Sequence, residues 1–404
     1  PRVAPGSTDY AGPITQALRL LTDSYLAVQG PPGTGKTHVG AHVIAALVAD
    51  GWRVGVVAQS HKVVENLLAK VIDAGVDGAL VAKMRHGDTG GGWTETPTAK
   101  YAAFLDEHRG TGCVVGGTAW TFSNATQVQR TCLDLLVVDE AGQFSLANTL
   151  AVSVAARRLL LLGDPQQLPQ VSQGTHPEPV DVSALGWLTD GHDTLPTARG
   201  YFLERTWRMH PELCAPVSRL SYEGRLHAQE SVAAARSLEG RPPGIAVVDV
   251  AHRGNSVESV EESAEVVSQM RGLVGLPWVG APGATPRPLA PEDVLVVAPF
   301  NAQVGSIRRH LSAAGIDGVR VGTVDRFQGQ QAPVVIVSMT VSAADDVPRG
   351  MSFVLSRNRL NVAVSRGQWC AVVVRSDVLT DFLPSTPEGL AELGAFVALC
   401  DGAG

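Results

Sequence analysis

Three clusters of residues could do chemistry. The first is Gly30-Pro31-Pro32-Gly33-Thr34-Gly35-Lys36-Thr37, which satisfies the pattern G-x-x-x-x-G-K-[ST]. It follows the apolar run Tyr25-Leu26-Ala27-Val28 and opens a helical pattern through Val39, Val43, Ile44 and Leu47. Glycines at 30, 33 and 35 let successive backbone N–H groups point into one concavity, where a helix N-terminus adds its positive end. Such a loop cradles phosphate. Lys36 would reach the β- and γ-phosphates of a nucleoside triphosphate, and the Thr37 hydroxyl would ligate a magnesium ion. The second cluster is Leu135-Leu136-Val137-Val138-Asp139-Glu140, an apolar strand ending in two acids. At the carboxyl edge of a parallel sheet that end lies beside the phosphate loop, so Asp139 would hold the magnesium ion and Glu140 would orient or deprotonate water. The third is Leu159 to Leu162 followed by Gly163-Asp164-Pro165-Gln166-Gln167-Leu168. Amides fed by a buried strand are costly unless bonded, which suits Gln167 to sensing a terminal phosphate.

These groups need a scaffold that aligns strand ends. The chain has 404 residues, 45% apolar and 18% charged, enough for two or three ordinary domains. Its first half alternates buried strands, near 25–29, 53–59, 113–118, 135–140 and 158–164, with helical patterns at about 36–48, 62–74, 98–108 and 145–156. The second half repeats the scheme, with strands near 245–250, 294–300, 319–324, 334–339 and 370–376. This alternation predicts an α/β fold with parallel sheets flanked by helices, divided into domains 1–198 and 199–404. The stretch Asp88 to Pro97 reads as a loop, Ser172 to Gly200 as a linker that could include a short helix at Val182 to Leu188, and Trp278 to Pro291 as a loop or tether. Glu258, Glu261, Glu262 and Glu265 fall on a helical pattern and read as a solvated face.

The formal charge of −7 offers no global attraction to polyanions, so any nucleic-acid contact has to come from a local groove. Five scattered cysteines without a C-x-x-C pair point to neither zinc nor an iron–sulfur cluster and suit a reducing, cytoplasmic setting. No apolar run reaches membrane-spanning length, and no basic-then-apolar leader is visible. Because the sequence starts at Pro1 rather than methionine, either an engineered start or a piece of something longer is expected.

The phosphate loop, Asp139-Glu140-Ala141-Gly142-Gln143 and Gly163 to Pro169 together resemble the superfamily 1 helicases, in particular the Upf/Dna-type branch associated with 5′-to-3′ translocation. Thr206-Trp207-Arg208-Met209-His210-Pro211, Val294 to Gln303, Gly322 to Gly329 and Arg359 to Arg366 resemble the later motifs, in the family order, so the likeness runs from about residue 16 to 376. It implies two tandem RecA-like, P-loop NTPase domains that use ATP and Mg2+. Arg208 and Arg366 would be arginine fingers, and Gln167 would contact the γ-phosphate from the first domain. A planar guanidinium suits phosphoryl transfer because it can pair two of the three oxygens over which charge spreads.

By the same resemblance a single strand would be held by Ser60, His61, Gly117, Thr118 and Thr323, with Phe300 and Trp120 as stacking surfaces. For the two aromatics a place in the core is an equal alternative, and His61 taken alone reads as a solvated helix start. Gln16 is either the family's adenine-reading glutamine or an exposed helix position. Gly329 and Gln331 belong to the fifth motif, but Gln331 stands where the family commonly has glutamate, so a ribose hydroxyl would be bound without a negative charge. Only about fifty residues separate the Ser60 region from Gly117, too few for the β-barrel insertion of many relatives. The likeness extends to the helicase half of bacterial proteins that join a RecB-type nuclease to such a motor; a nuclease module is expected upstream if anywhere. The expected activity is an ATP-dependent helicase or translocase, with DNA favoured over RNA. An RNA helicase of the decay-factor type and an ATP-switched clamp that binds strands without unwinding are the alternatives.

Overall fold

A computed structural model describes the chain except residues 1, 2, 4–6, 88, 89, 171–173, 175, 345, 346, 348, 349 and 402–404. Two compact units divide it: Pro1–Pro31, Gly35–Pro165 and Pro169–Leu203 in the first, Pro32–Thr34, Gln166–Leu168 and Glu204–Gly404 in the second.

In the first unit, among the described residues, eight strands form one parallel sheet: β1 (Tyr25–Gln29), β2 (Arg53–Val57), β3 (Val81–Lys83), β4 (Thr94–Glu95), β5 (Cys113–Gly117), β6 (Leu135–Asp139), β7 (Leu159–Gly163) and β8 (Gly200–Phe202). Their order is β4-β3-β5-β2-β6-β7-β1-β8. The apolar strands are buried because helices cover both faces. On one face α1 (Ala11–Leu20), α2 (Lys36–Ala49) and α3 (His61–Asp73) set Ile14, Leu18, Ile44, Leu47, Leu67 and Leu68 against Val54, Val56 and Val137. On the other, α4 (Tyr101–Glu107), α5 (Ala119–Ser123), α6 (Leu146–Ser153) and α7 (Ala184–Thr189) set Tyr101, Phe122, Val152 and Leu185 against Val115, Leu136 and Val138. Fully burying one such aliphatic side chain contributes about 1.5–3 kcal/mol, so these two layers supply most of what fixes the sheet.

Two expectations change here. The stretch Ser172 to Gly200 is no linker: α7 packs into the first core, and Gly200–Phe202 pair in parallel with Ala27–Gln29, carrying the first unit to Leu203 rather than 198. Ser172, Gln173 and Thr175 lie outside the described residues. In the loop read at Asp88 to Pro97, Thr94 and Glu95 add an edge strand to β3; Asp88 and Thr89 lie outside the described residues. Although β7 stands between β6 and β1, the acidic end of β6 lies beside the phosphate loop as expected, with Glu140 Oε2 3.0 Å from Lys36 Nζ.

The second unit has two short accessory sheets. One pairs β9 (Arg205–Thr206) with β10 (His227–Ala228); the other joins β11 (Ser237–Leu238), β13 (Pro277–Val279) and β14 (Arg287–Pro288). The main sheet is parallel, with order β12-β18-β17-β15-β16, from β12 (Gly244–Val250), β15 (Val294–Val297), β16 (Arg320–Gly322), β17 (Ala332–Ser338) and β18 (Gly367–Ser376). Helices α8 (Pro211–Ser221), α9 (Glu230–Ala233), α10 (Val260–Leu273), α11 (Asn301–Ala313), α12 (Met351–Val354), α13 (Arg357–Val364) and α14 (Pro387–Asp401) complete it. The stretch Trp278 to Pro291 is not a simple tether, since Trp278 and Leu289 are buried in the core with Met270 and Leu273.

The acidic run is also not wholly solvated. Glu261 lies outside, but Glu262 is fully buried. Its carboxyl oxygens accept hydrogen bonds from Ser338 Oγ at 2.5 Å and Thr340 N at 2.8 Å, and His252 Nε2 lies 3.1 Å away. Charge runs read as exposed because burying an unpartnered carboxyl is prohibitive; here the partners come from distant strands, which the local pattern cannot reveal.

Candidate nucleotide site and strand-facing residues

The sequence turns abruptly after β1 because Gly33 and Gly35 sit at φ 76° and 80°, a region closed to most side chains. Gly35 caps α2, which places Lys36 as its first residue and Thr37 as the second. The Gly30 N–H donates to Gly163 O at 2.8 Å, tying the loop to the end of β7. At the end of β6, Asp139 is 3% exposed and its Oδ1 accepts from Glu140 N at 3.0 Å. Glu140 itself adopts φ 54°, an unfavourable backbone for a non-glycine residue. That turn is held because Ala141 N donates to Leu162 O at 2.7 Å and because Gly163 has no side chain: a Cβ there would lie 2.5 Å from Gly142 N.

Lys36 bridges the intervening strand. Its Nζ donates to Glu140 Oε2 at 3.0 Å, and it is almost fully buried. Burial opposes its charge, but Glu140 and Asp139 override that and raise its pKa. The Asp139 carboxyl is pushed up to about 6 by burial and then by Glu140, with Lys36 pulling the other way. Two acids sharing one lysine leave a carboxylate short of positive charge, so the oxygen donors Asp139 and Thr37 fit a hard divalent cation. Among the described residues no group of three or more His, Cys, Asp or Glu side chains could hold a metal ion alone. A cation here would need phosphate oxygens as well, the usual way magnesium is held.

Two residues that no sequence motif marks as functional, Gln29 and Asp164, meet at the ends of their strands. Gln29 is fully buried; its Nε2 donates to Asp164 Oδ1 at 3.3 Å and Asp193 O at 3.1 Å, while its Oε1 accepts from Leu195 N at 2.7 Å. An amide ending an otherwise apolar strand was the available signal. Gln16 is exposed on α1, and Pro31, Pro32 and Thr34 are buried in the loop.

In the second unit, Arg208 Nε donates to Gln331 Oε1 at 3.1 Å and its Nη1 to Ser365 O at 3.0 Å. Both partners are neutral. Burial, then the nearby Arg366, pushes the Arg208 guanidinium down to about 9, although a guanidinium keeps its proton at physiological pH. Arg366 is 2% exposed and donates through Nε to Val362 O at 2.9 Å. Like charges at the half-buried Arg208 and the buried Arg366, without a carboxylate on Arg208, make this an anion-seeking cluster, with Arg236 as a third member that donates to Trp207 O at 3.1 Å. Gly329 has φ 79° in the turn before Gln331. Gln167, expected to act from the first domain, groups with the second unit: Asn358 Nδ2 donates to Gln167 O at 2.5 Å and Asn361 Nδ2 to Gln166 O at 2.8 Å. The two asparagines were not singled out from sequence, because nothing local marks a helix amide as a backbone clamp.

Of the expected strand contacts, those of the first unit collect at adjacent strand ends, since Val57 pairs with Gly117. Ser60 caps α3 by accepting from Val63 N at 3.3 Å, and the next residue, His61, stacks on His86 at 4.2 Å between centroids. Burial, then Lys83 and His86, lowers the His61 pKa. Thr118 precedes α5, on which Trp120 is 85% exposed and therefore no core residue. Phe300 and Thr323 follow β15 and β16, adjacent strands of the second sheet.

Two family models, each described as an AAA domain, match residues 15–180 and 189–377. The DNA replication ATP-dependent helicase/nuclease DNA2 of Bos taurus is 26% identical over 393 residues, covering 88% of this chain and 36% of that protein. Its counterpart from Saccharomyces cerevisiae is 23% identical over 425 residues, covering 95% of this chain and 26% of that one. The chain thus spans about a third of these relatives or less. A solved complex of arterivirus nonstructural protein 10 (helicase) with DNA aligns at a TM-score of 0.46 and 17% identity, over 87% of this chain and 60% of that one. Tandem AAA-domain matches, relatives over most of the length and a phosphate loop facing paired acids on a parallel sheet give one result: the chain has a tandem P-loop NTPase fold and is similar over most of its length to helicases of the superfamily 1 Upf/Dna type.

Proposed function

We propose that the chain is an ATP-dependent motor on single-stranded DNA, a helicase or translocase of 5′-to-3′ polarity. The observation that carries this reading is the buried group of Lys36, Glu140 and Asp139 at the phosphate loop, in which one cation serves two acids. In the structure Lys36 holds Glu140. A bound triphosphate offers Lys36 a stronger anion, which releases Glu140 to orient the attacking water and accept its proton. Thr37 and Asp139 would hold a magnesium ion, which would supply charge neutralisation. Arg208 and Arg366 stabilise charge developing on the transferred phosphoryl group, Gln167 senses it, Gln16 reads the adenine, and Gly329 with Gln331 border the ribose.

Ser60, His61, Gly117, Thr118, Phe300 and Thr323 hold the strand, at the carboxyl edges where ligands bind in parallel sheets. DNA is favoured over RNA because the relatives named above are DNA replication helicases. Those relatives are named helicase/nucleases, so a nuclease module elsewhere in a longer protein belongs to the same proposal. Among the described residues no helix is long and apolar enough to cross a membrane. A cytoplasmic setting is proposed on the five free cysteines. The test is unwinding of DNA and RNA duplexes with 5′ or 3′ overhangs, side by side with strand-stimulated ATP hydrolysis. Preferential unwinding of the 5′-overhang DNA is expected; strand-stimulated hydrolysis without unwinding or movement would replace the motor with a clamp.

A further inference from the structure

The second unit contains a groove of about 330 Å³ whose walls include Phe300, Asn301, Thr323, Asp325, Phe353 and Arg359. Phe300 and Thr323 stand at the ends of adjacent strands, while Phe353 comes from α12 and Arg359 from α13. The Phe300 and Phe353 ring centroids are 5.6 Å apart at 33°. Against Phe353 lies the Arg359 guanidinium, its central carbon 4.3 Å from the ring centroid. Nearby, Asp325 Oδ2 is 3.6 Å from Arg359 Nη1, close enough for attraction but beyond hydrogen-bond length.

This arrangement has a chemical consequence. A guanidinium held over a ring face is attracted through its charge, which spends none of its five N–H donors. Among the described residues no hydrogen bond uses those donors, and the side chain is 27% exposed in the groove. A planar cation with unspent donors suits the tetrahedral oxygens of a phosphodiester, and the aromatic pair beside it suits the face of a base. Single-stranded nucleic acid offers both at once.

We propose that Arg359 binds a backbone phosphate of the single strand, with Phe353 as the residue that positions its guanidinium and Asp325 as the resting partner a phosphate displaces. The inference rests on the proposed strand-binding function and adds to it two residues and an exchange. Asp325 acts against binding: its charge competes for Arg359 and repels the incoming phosphate.

The test is binding of the full chain, without nucleotide, to a fluorescent oligo(dT) across a salt series. For each phosphate neutralised on a single strand the slope of log K against log salt changes by about 0.7. Arg359→Gln should therefore flatten the slope by about that amount and weaken binding roughly tenfold at low salt. Phe353→Leu should weaken binding, and Phe353→Tyr should restore it. Asp325→Asn should tighten binding several-fold, a direction that a merely structural role for these residues would not produce. Wild-type slope and affinity in Arg359→Gln overturn the proposal, as does weaker binding in Asp325→Asn. If Arg359→Gln does not fold, Asp325→Asn decides, and no gain in affinity overturns it. Absence of binding by the wild type ends the strand-binding reading as well, whereas wild-type binding with indifferent variants ends this inference alone.

Discussion

Replacing Glu262 with alanine should destabilise the second unit severely, although the residue sits in an acidic stretch. Its carboxyl is fully buried, and three groups depend on it: the Ser338 hydroxyl at 2.5 Å, the Thr340 N–H at 2.8 Å and His252 Nε2 at 3.1 Å. Each buried polar group left without its partner costs about 1–3 kcal/mol. Ser338 keeps its bond from Gln303 Nε2 at 3.0 Å and His252 keeps Ser342 Oγ at 2.7 Å, so each cost falls in the lower half of that range and the three together come to about 3–6 kcal/mol. For a unit of roughly 200 residues, where 1 kcal/mol moves Tm by about 2–4 °C, the midpoint should fall by about 10 °C. Glu262→Gln is the control: its amide oxygen can accept from Ser338 and Thr340 while its NH2 donates to His252, so it should cost only about 1 kcal/mol. Urea unfolding followed through tryptophan fluorescence reads the difference, because Trp278 and Trp369 are buried in this unit. Equal stability of Glu262→Ala and wild type, or equal damage from Ala and Gln, would refute the reasoning.

The nucleotide site makes sharper demands on turnover than on folding. Lys36→Ala should abolish nucleotide binding, and Glu140→Gln should bind ATP but hardly hydrolyse it, as measured by fluorescent-nucleotide titration beside a phosphate-release assay. Gly163→Ala puts a Cβ 2.5 Å from Gly142 N and 2.7 Å from Ala141 N, so it should cost about 1–3 kcal/mol and displace Glu140. A fall in kcat with nucleotide affinity largely kept is the expected signature. Arg208→Gln relieves the crowding with Arg366 and Arg236, and should raise Tm by a few degrees, at roughly 2–4 °C per kcal/mol, while cutting turnover. Unchanged hydrolysis in that variant would remove Arg208 from the reaction.

Local sequence determined the elements and the chemistry that depends on fixed spacing. The phosphate loop is legible because its glycines, lysine and threonine act through backbone geometry within eight residues, and apolar runs such as Leu135 to Val138, too short for a helix and bounded by acids, read as buried strands. The order of strands was not legible: β7 stands between β6 and β1, and a Cβ at its last residue, Gly163, would collide with Gly142 N at 2.5 Å. Gly200–Phe202 looked like the end of a linker because an edge strand of three residues carries no periodicity; only its pairing with β1 assigns it to the first unit. Glu262 misled for the same reason that Asn358 and Asn361 were missed. Whether a polar side chain faces water or a buried partner depends largely on distant groups, such as Ser338 for Glu262, 76 positions away, and Gln166 for Asn361, 195 away, which meet only when the sheets and helices have packed.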